Sequence, residues 1–293
     1  MNNPPTISGR EKGARGIPPT GLVLLSIGSV QIGAAIAKGL FDPLGPGGTV
    51  FLRISLSALL LLLLWRPELR GYSRADWALA AGFGLTLAGM NLCLYLAIDR
   101  IPLGVAVTLE FLGPLGVAVA GSRRLLDGLW VVLAAAGILL LAPLNVLGGS
   151  DLDPVGVAFA LSAGALWAGY ILLSARVGGA FPGGTGLVIS LCVGTLLLLP
   201  VGIAGGGYAL LDPKYLLLGL CVAVLSSAVP YSLELEALRK LPTRVFGVLM
   251  SLEPAVAALV GFLLLGELLD LRAVVAIALV SVAAAGASLF GRA

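Results

Sequence analysis

Long apolar runs separated by short polar segments dominate the chain. A membrane-spanning helix needs about 20 apolar residues, because each residue rises ~1.5 Å and the hydrocarbon core is about 30 Å thick. Ten runs approach or exceed this length: residues 20–38, 47–65, 77–98, 102–120, 128–145, 154–175, 185–203, 213–238, 242–265 and 272–290. The connecting segments are too short to hold an inserted soluble domain. The pattern predicts an all-α, polytopic membrane protein with ten transmembrane helices.

Composition supports a membrane protein and disfavours several other classes. Of the 293 residues, 59% are hydrophobic and only 11% are charged, against about 25% charged residues in soluble domains. The net charge is +3 and the basic residues are scattered over short loops, so no nucleic-acid surface is indicated. The chain has no histidine, and Cys93, Cys192 and Cys221 lie in apolar runs without ligand or disulfide spacing. We expect no metal, no cofactor and no enzymatic activity.

The distribution of Lys and Arg predicts the orientation. With a cytoplasmic N-terminus, thirteen basic residues fall on the cytoplasmic side and four on the other, with Arg53 inside the second span. This bias agrees with the preference of Lys and Arg for cytoplasmic loops. Both termini are therefore predicted to be cytoplasmic, and residues 1–18, which are polar and proline-containing, are predicted to be a disordered tail.

The two halves of the chain share a weak internal repeat. The segment NLCLYLAIDRIP at 91–102 aligns with YSLELEALRKLP at 231–242, and after a three-residue insertion Glu110 aligns with Glu253. Because each half has five predicted spans, an odd number, the second half enters the membrane from the opposite side. The predicted domains are two inverted five-helix repeats, 19–147 and 154–291. Transporters of this design place their binding site near the midplane, on interrupted helices.

Glu110 and Glu253 are the leading functional candidates. Glu253 lies roughly 16 Å into the span that starts at Pro242, and Glu110 lies about 12 Å into its own span, four residues before Pro114. An acid at this depth normally faces a protein interior or a wet cavity. Burial favours its neutral form, so each acid is predicted to exchange a proton and to bind a substrate ammonium alternately. A protonated acid that only hydrogen-bonds a neighbouring helix is the structural alternative.

Other polar residues at similar depth are predicted to contact substrate. Arg53 is suited to bind a substrate carboxylate bidentately, although pairing with Glu110 or reaching the membrane interface would also explain it. Asn91, Tyr95, Trp167 and Tyr231 complete the predicted substrate-binding set, with Gln31, Tyr170 and Ser227 at comparable depth. Hydrogen bonds between helices are the favoured alternative for each of these residues. For Glu236, an ion pair with Arg239 or Lys240 suffices, and Glu234 has no assigned role.

Several motifs surround the two acids. They are Gly89-Met90-Asn91, Pro102-Leu103-Gly104, Leu109-Glu110-Phe111, Gly113-Pro114, Ser122-Arg123-Arg124, Pro230-Tyr231-Ser232-Leu233-Glu234, Leu241-Pro242-Thr243-Arg244, Phe246-Gly247 and Met250-Ser251-Leu252-Glu253-Pro254. In them the chain resembles the threonine/homoserine exporter group, in the EamA branch of the drug/metabolite transporter superfamily, over roughly residues 20–290. The resemblance implies ten helices in two inverted halves, an inner-membrane location and proton-driven efflux of small amino acids. Thr108, Leu112 and Glu236 depart from the group's pattern.

The functional prediction is a secondary transporter in a bacterial inner membrane that exports small neutral amino acids, such as threonine or homoserine, by proton antiport with alternating access. Its predicted partners are the amino acid, protons and membrane lipids, with the protein as a monomer or a homodimer and with no nucleic acid. Within transport, the alternative substrates are an aromatic amino acid or a toxic cation. Outside transport, the alternatives are an intramembrane enzyme and a non-transporting scaffold.

Overall fold

The computed structural model describes residues 17–67, 70–120, 125–141, 152–182, 184–238, 240–241 and 243–290, and within these ranges all regular structure is helical. The α-helices are α1 (Pro19–Lys38), α2 (Phe41–Trp65), α3 (Arg74–Ile98), α4 (Leu103–Glu110), α5 (Leu112–Ala120), α6 (Leu125–Leu141), α7 (Pro154–Ala180), α8 (Thr185–Gly206), α9 (Pro213–Ala223), α10 (Val229–Leu238), α11 (Thr243–Met250), α12 (Glu253–Leu265) and α13 (Leu271–Phe290). A 3₁₀ turn, Gly207–Leu211, follows α8, and a π-helical turn, Val224–Ala228, joins α9 to α10. Residues 1–16 of the predicted tail lie outside the described ranges.

Among the described residues, six helical segments are long and apolar enough to cross a membrane, and four shorter apolar helices accompany them. The six are Pro19–Lys38, Phe41–Trp65, Arg74–Ile98, Pro154–Ala180, Thr185–Leu211 and Val245–Leu265. The shorter helices are Leu103–Val117, Gly128–Gly137, Pro213–Ala228 and Leu271–Gly286. The prediction of an all-α membrane protein is confirmed. That all ten segments span the membrane stays a prediction.

Three of the predicted spans are each divided into two helices near a proline. Pro114, Pro230 and Pro254 lie one to three residues into the helix that follows each division. Proline has no amide hydrogen and its ring crowds the carbonyl four residues earlier, so regular hydrogen bonding stops there. The divisions put backbone carbonyls and acidic side chains in the middle of apolar segments.

The start of α2 differs from the predicted boundary. Hydropathy places the start at residue 47, whereas the helix runs from Phe41 to Trp65. Gly45 has a φ of 64°, outside helical geometry, and Pro46 follows it inside the helix. Glycine adopts a positive φ without a steric penalty, so this dipeptide forms a sharp joint and the segment before it still folds as a helical turn.

Small residues let the helices approach closely. Ser190 on α8 donates a hydrogen bond of 2.9 Å to the carbonyl of Ala80 on α3, and a Cβ on Gly84, one turn further along α3, would lie 2.5 Å from the carbonyl oxygen of Ser190. The main helix pairs are α2 with α8, α3 with α7 and α8, α6 with α13, α1 with α10 and α4 with α12. These pairs surround one buried central region.

One end of the bundle carries two ion pairs. Lys38 Nζ lies 2.6 Å from Glu267 Oε1, and Arg100 Nη1 lies 3.2 Å from Asp153 Oδ2. Asp153 also caps α7 by accepting a hydrogen bond of 2.8 Å from the Val155 amide. This hydrogen bond, together with Arg100, holds the pKa of Asp153 below its usual range. At the opposite end, Lys240 Nζ lies 2.6 Å from Glu236 Oε1, as the sequence predicted.

Candidate functional site

A central cavity lies where the divided helices meet α1, α2, α3 and α7. It encloses about 890 Å³, its open part included. Its charged and polar lining residues are Gln31, Arg53, Asn91, Tyr170, Ser226, Glu110, Glu234 and Glu253, with Trp167 also in the wall. Apolar residues, among them Met90, Leu94, Val107 and Met250, form the rest of the lining. A cavity with few polar groups on apolar walls is typical of a small-molecule site.

The two predicted acids both line this cavity. Glu110 is the last residue of α4 and is 5% exposed, and Glu253 is the first residue of α12 and is 8% exposed. Their carboxyl groups are close enough to interact electrostatically. The structure therefore brings together two acids that are 143 positions apart in the sequence.

The division after Glu110 is packed directly against α7. Pro114 cannot donate to the Glu110 carbonyl, and Gly164 of α7 lies against that carbonyl. A Cβ on Gly164 would lie 2.7 Å from the Glu110 carbonyl oxygen, closer than van der Waals contact allows. Gly164 thus positions the acid as well as letting α7 pack closely on the division.

Among the described residues, Gln31 is the hydrogen-bond partner of Glu253, and one Glu253 oxygen has no partner. Gln31 Nε2 donates a hydrogen bond of 3.1 Å to Glu253 Oε1 in a buried position. Within the described residues, Glu253 Oε2 and Gln31 Oε1 are buried without a hydrogen-bond partner. An unpaired buried polar atom costs about 1–3 kcal/mol, so these two atoms indicate a place where a ligand or a proton binds.

Arg53 enters the cavity from α2, and Pro230 provides one of its anchors. The Ser226 carbonyl lies four residues before Pro230, which has no amide hydrogen to donate to it. That carbonyl accepts a hydrogen bond of 3.3 Å from Arg53 Nη2. Arg53 Nη1 also donates to the Tyr95 hydroxyl at 3.4 Å, while Arg53 Nε is buried without a partner among the described residues. Both hydrogen bonds are long, and the guanidinium keeps capacity to bind an anion.

The remaining predicted substrate contacts have different positions. Asn91 lines the cavity, but its Nδ2 donates 2.8 Å back to the Leu87 carbonyl of its own helix. Trp167 lines the cavity and makes an edge-to-face contact with Phe111, with ring centroids 5.5 Å apart. Tyr95 is fully buried and lies behind Arg53, whose guanidinium carbon is 5.6 Å from the ring centroid. The side chain of Tyr231 lies outside the described part of the structure.

Four polar lining residues were not in the predicted substrate-binding set: Gln31, Tyr170, Ser226 and Glu234. Glu234 lines the cavity from α10, and its Oε1 accepts a hydrogen bond of 2.6 Å from the Ser26 hydroxyl. Gln31 contacts Glu253 directly, although its sequence position favoured a hydrogen bond between helices. The sequence signal for Glu234 was an acid inside an apolar run, four residues after Pro230. This signal was weak because Glu234 lies close to the end of the helix.

A second cavity, here called the vestibule, adjoins the first. It encloses about 760 Å³, its open part included, and is lined by Phe111, Pro114, Leu115, Trp167, Ile171, Glu234, Phe246, Gly247, Met250 and Ala284. Trp167, Glu234 and Met250 line both cavities. The vestibule therefore continues the central cavity toward the end of the bundle where α10 ends and α11 begins.

Comparisons with known proteins agree on one family. The sequence profile of the EamA-like transporter family matches residues 154–289. The chain is 44% identical over 271 residues to the threonine/homoserine exporter RhtA of Salmonella typhimurium strain LT2, covering 92% of this chain and 91% of that protein. It is 42% identical over 271 residues to RhtA of Escherichia coli K12, with the same two coverages, 92% and 91%.

A solved crystal structure shares the fold. It superposes with a TM-score of 0.55 at 18% sequence identity and covers 92% of this chain and 97% of the other. At this identity the likeness shows the fold alone. The identity to the exporters over nine-tenths of the chain shows more: the chain belongs to the EamA-like transporter family, in the group of the threonine/homoserine exporters.

Proposed function

We propose that this protein exports small neutral amino acids of the threonine and homoserine type across a bacterial inner membrane, by proton antiport with alternating access. The observation that carries the proposal is the central cavity, where two buried acids, a partly buried arginine and a buried amide meet between divided helices. The names of the relatives at 42–44% identity supply the substrate class.

The proposed architecture is ten spans in two inverted halves, with both termini in the cytoplasm. The packing of the helices supports it. Under exchange of the halves, the pair α3 and α7 corresponds to the pair α10 and α1, while α2 with α8 and α6 with α13 correspond to themselves, and all of these pairs are in contact. The cavity lining repeats in the same way. Val107 and Met250 both line the cavity, and they are 143 positions apart in the sequence, as are Glu110 and Glu253.

The charges in the cavity match a zwitterion. Arg53 offers an unpartnered Nε to a substrate carboxylate, and arginine binds carboxylates through paired hydrogen bonds. The free Oε2 of Glu253 offers an acceptor to the substrate ammonium. Ser226 Oγ, which is also buried without a partner among the described residues, is available to a substrate hydroxyl.

Proton coupling follows from competition for one carboxylate. A glutamate binds an ammonium only after it has released its own proton, because the ionised form is the one that attracts the cation. Protonation from one side of the membrane and substrate binding from the other then exclude each other. With two interacting acids in one cavity, inward movement of protons is coupled to outward movement of the substrate.

Alternating access requires that the cavity open to one side at a time. The vestibule connects the cavity to the end of the bundle where α11 begins, which is the predicted cytoplasmic end. At the other end, Glu267 contacts both Lys38 and the Leu103 amide. These contacts support an inward-facing conformation from which one half rocks against the other.

An exporter of another solute is the second candidate. The aromatic residues Trp167, Phe111 and Phe246 around the two cavities would suit an aromatic amino acid or an organic cation. Arg53 opposes the cation, because a cation lacks a carboxylate to pair with it.

Counterflow of radiolabelled threonine into proteoliposomes that hold unlabelled threonine tests the proposal. We expect accumulation of label well above that in liposomes without protein. Unlabelled homoserine should compete with label, and unlabelled tryptophan should not. The result that would overturn the substrate class is wild-type counterflow with tryptophan and none with threonine or homoserine.

A further inference from the structure

Glu234 occupies the junction of the central cavity and the vestibule, and neither the predicted site nor the proposed antiport uses it. Its side chain lines both cavities and is only partly buried. One carboxylate oxygen accepts a hydrogen bond of 2.6 Å from the Ser26 hydroxyl, which fixes the side chain across the gap between α10 and α1. Glu234 also lies close enough to Glu253 to interact with it electrostatically.

The repeat makes this position asymmetric. In the register that aligns residues 91–102 with 231–242, Glu234 corresponds to Leu94, and Leu94 lines the same central cavity from α3. The neighbouring pair, Met90 and Pro230, also lines the cavity in both halves, so the register holds in the structure. The cavity thus has a carboxylate toward one side of the membrane and a leucine toward the other.

Trp167 provides a second feature that recognises a cation. It lines both cavities together with Glu234, and its edge-to-face contact with Phe111 fixes its ring. A cation near an aromatic face is attracted by the ring quadrupole, and most strongly by tryptophan. A carboxylate and a tryptophan at one junction therefore suit an ammonium group.

We propose that Glu234 and Trp167 form a separate subsite that receives the ammonium group of the solute from the vestibule and transfers it to the acids of the central cavity. The inference rests on the proposed function, because it takes a zwitterionic amino acid as the solute. Ser26 is a positioning residue for this subsite, since its hydroxyl contacts the Glu234 carboxylate and the Pro230 carbonyl while its side chain lines neither cavity.

The subsite makes binding different on the two faces. A solute arriving from the vestibule meets Glu234, whereas a solute arriving from the opposite side meets Leu94. The driving force fixes the ratio of kcat/KM for the two directions of transport, so a change at the subsite cannot alter that ratio. The KM at each face can change by itself, and KM measured separately at each face therefore reports the subsite. We expect the lower KM at the face where the vestibule opens.

The test measures threonine KM at each face in inside-out and right-side-out membrane vesicles, with vesicles lacking the protein as background. For Glu234→Gln we expect a roughly tenfold rise in KM at the cytoplasmic face, about the effect of one charged contact, and a change of less than about twofold at the outer face. Ser26→Ala should raise the same KM by a smaller factor, and Glu234→Asp should restore part of the loss.

Wild-type protein should also prefer threonine to 2,3-dihydroxybutanoate, which has a hydroxyl in place of the ammonium, and Glu234→Gln should reduce that preference at the cytoplasmic face only.

Glu236→Gln is the matched control, because it removes the same charge two residues further along α10, at a position paired with Lys240 on the surface. It should leave KM unchanged at both faces. An unchanged cytoplasmic KM in Glu234→Gln, or an equal rise at both faces, would overturn the subsite. If Glu234→Gln does not accumulate in membranes, the same comparison of KM at the two faces in Ser26→Ala tests the subsite. Wild-type vesicles that transport no threonine at either face would instead contradict the proposed function.

Discussion

Glu267 lies 2.6 Å from the ammonium group of Lys38 and joins three helices at one end of the central cavity. Its Oε1 pairs with that ammonium at the end of α1, and its Oε2 accepts a hydrogen bond of 2.8 Å from the Leu103 amide at the start of α4. The carboxylate follows α12, and its side chain is 12% exposed. Because Leu103 also lines the cavity, we expect this contact to hold that end of the cavity closed.

Replacing Glu267 by Gln should destabilise this closed end. The amide still accepts the hydrogen bond from Leu103, but Lys38 loses its charged partner. Removal of one member of a charged hydrogen bond costs about 1–3 kcal/mol, so the apparent Tm in detergent should fall. Asp153→Asn is the matched control, because the pair that Asp153 forms with Arg100 is more exposed, with side chains 33% and 41% accessible. Equal falls in Tm for the two variants would contradict the closing role of Glu267.

Replacing Pro230 by Ala should weaken the anchor of Arg53. The new amide hydrogen can donate to the Ser226 carbonyl, which then competes with Arg53 for that acceptor. We expect threonine KM in counterflow to rise roughly three- to tenfold, the effect of about 1 kcal/mol, with an unchanged or higher Tm.

Pro200→Ala provides the control for that experiment. Pro200 also lies inside a helix, α8, but it is exposed on the bundle surface and does not line the cavity. This variant should keep the wild-type KM. A wild-type KM in Pro230→Ala would show that the proline does not position Arg53.

Replacing Gly164 by Ala should disturb the division between α4 and α5. The added Cβ would lie 2.7 Å from the Glu110 carbonyl oxygen, and relieving such a contact costs about 1–3 kcal/mol. We expect a lower Tm and reduced threonine counterflow. Gly178→Ala, on the same helix, meets no atom within 4 Å and should raise stability slightly, because alanine favours helices over glycine. Similar Tm values for both variants would contradict direct packing of α7 on the division.

The sequence was sufficient to predict the helical membrane fold and the position of the two acids within apolar helical segments. Hydropathy and proline position are local properties, and they located Glu110 and Glu253 in apolar runs beside Pro114 and Pro254. The same reasoning missed the early start of α2, since the joint at Gly45 and Pro46 reads as a loop when only hydropathy is considered.

Side-chain partners could not be predicted in the same way, because they depend on which helices pack together. Tyr95 has the depth of a substrate contact, but the packing of α3 against α2 buries it behind Arg53. Gln31 and Glu234 become part of the site only because α1 lies beside α10 and α12. Nothing in the spacing of these residues along the chain indicates that contact.

The central claim is that Glu110 and Glu253 exchange protons for substrate in one shared cavity. Its most direct test is threonine uptake into proteoliposomes with an acidic lumen, which drives antiport, comparing wild type with Glu110→Gln, Glu253→Gln and the surface control Glu236→Gln at equal amounts of inserted protein. We expect uptake driven by the pH gradient in the wild type and in Glu236→Gln, and loss of that uptake in both cavity variants, because glutamine neither releases a proton nor pairs with an ammonium as an anion. Uptake at the wild-type rate in Glu110→Gln and Glu253→Gln would contradict the account.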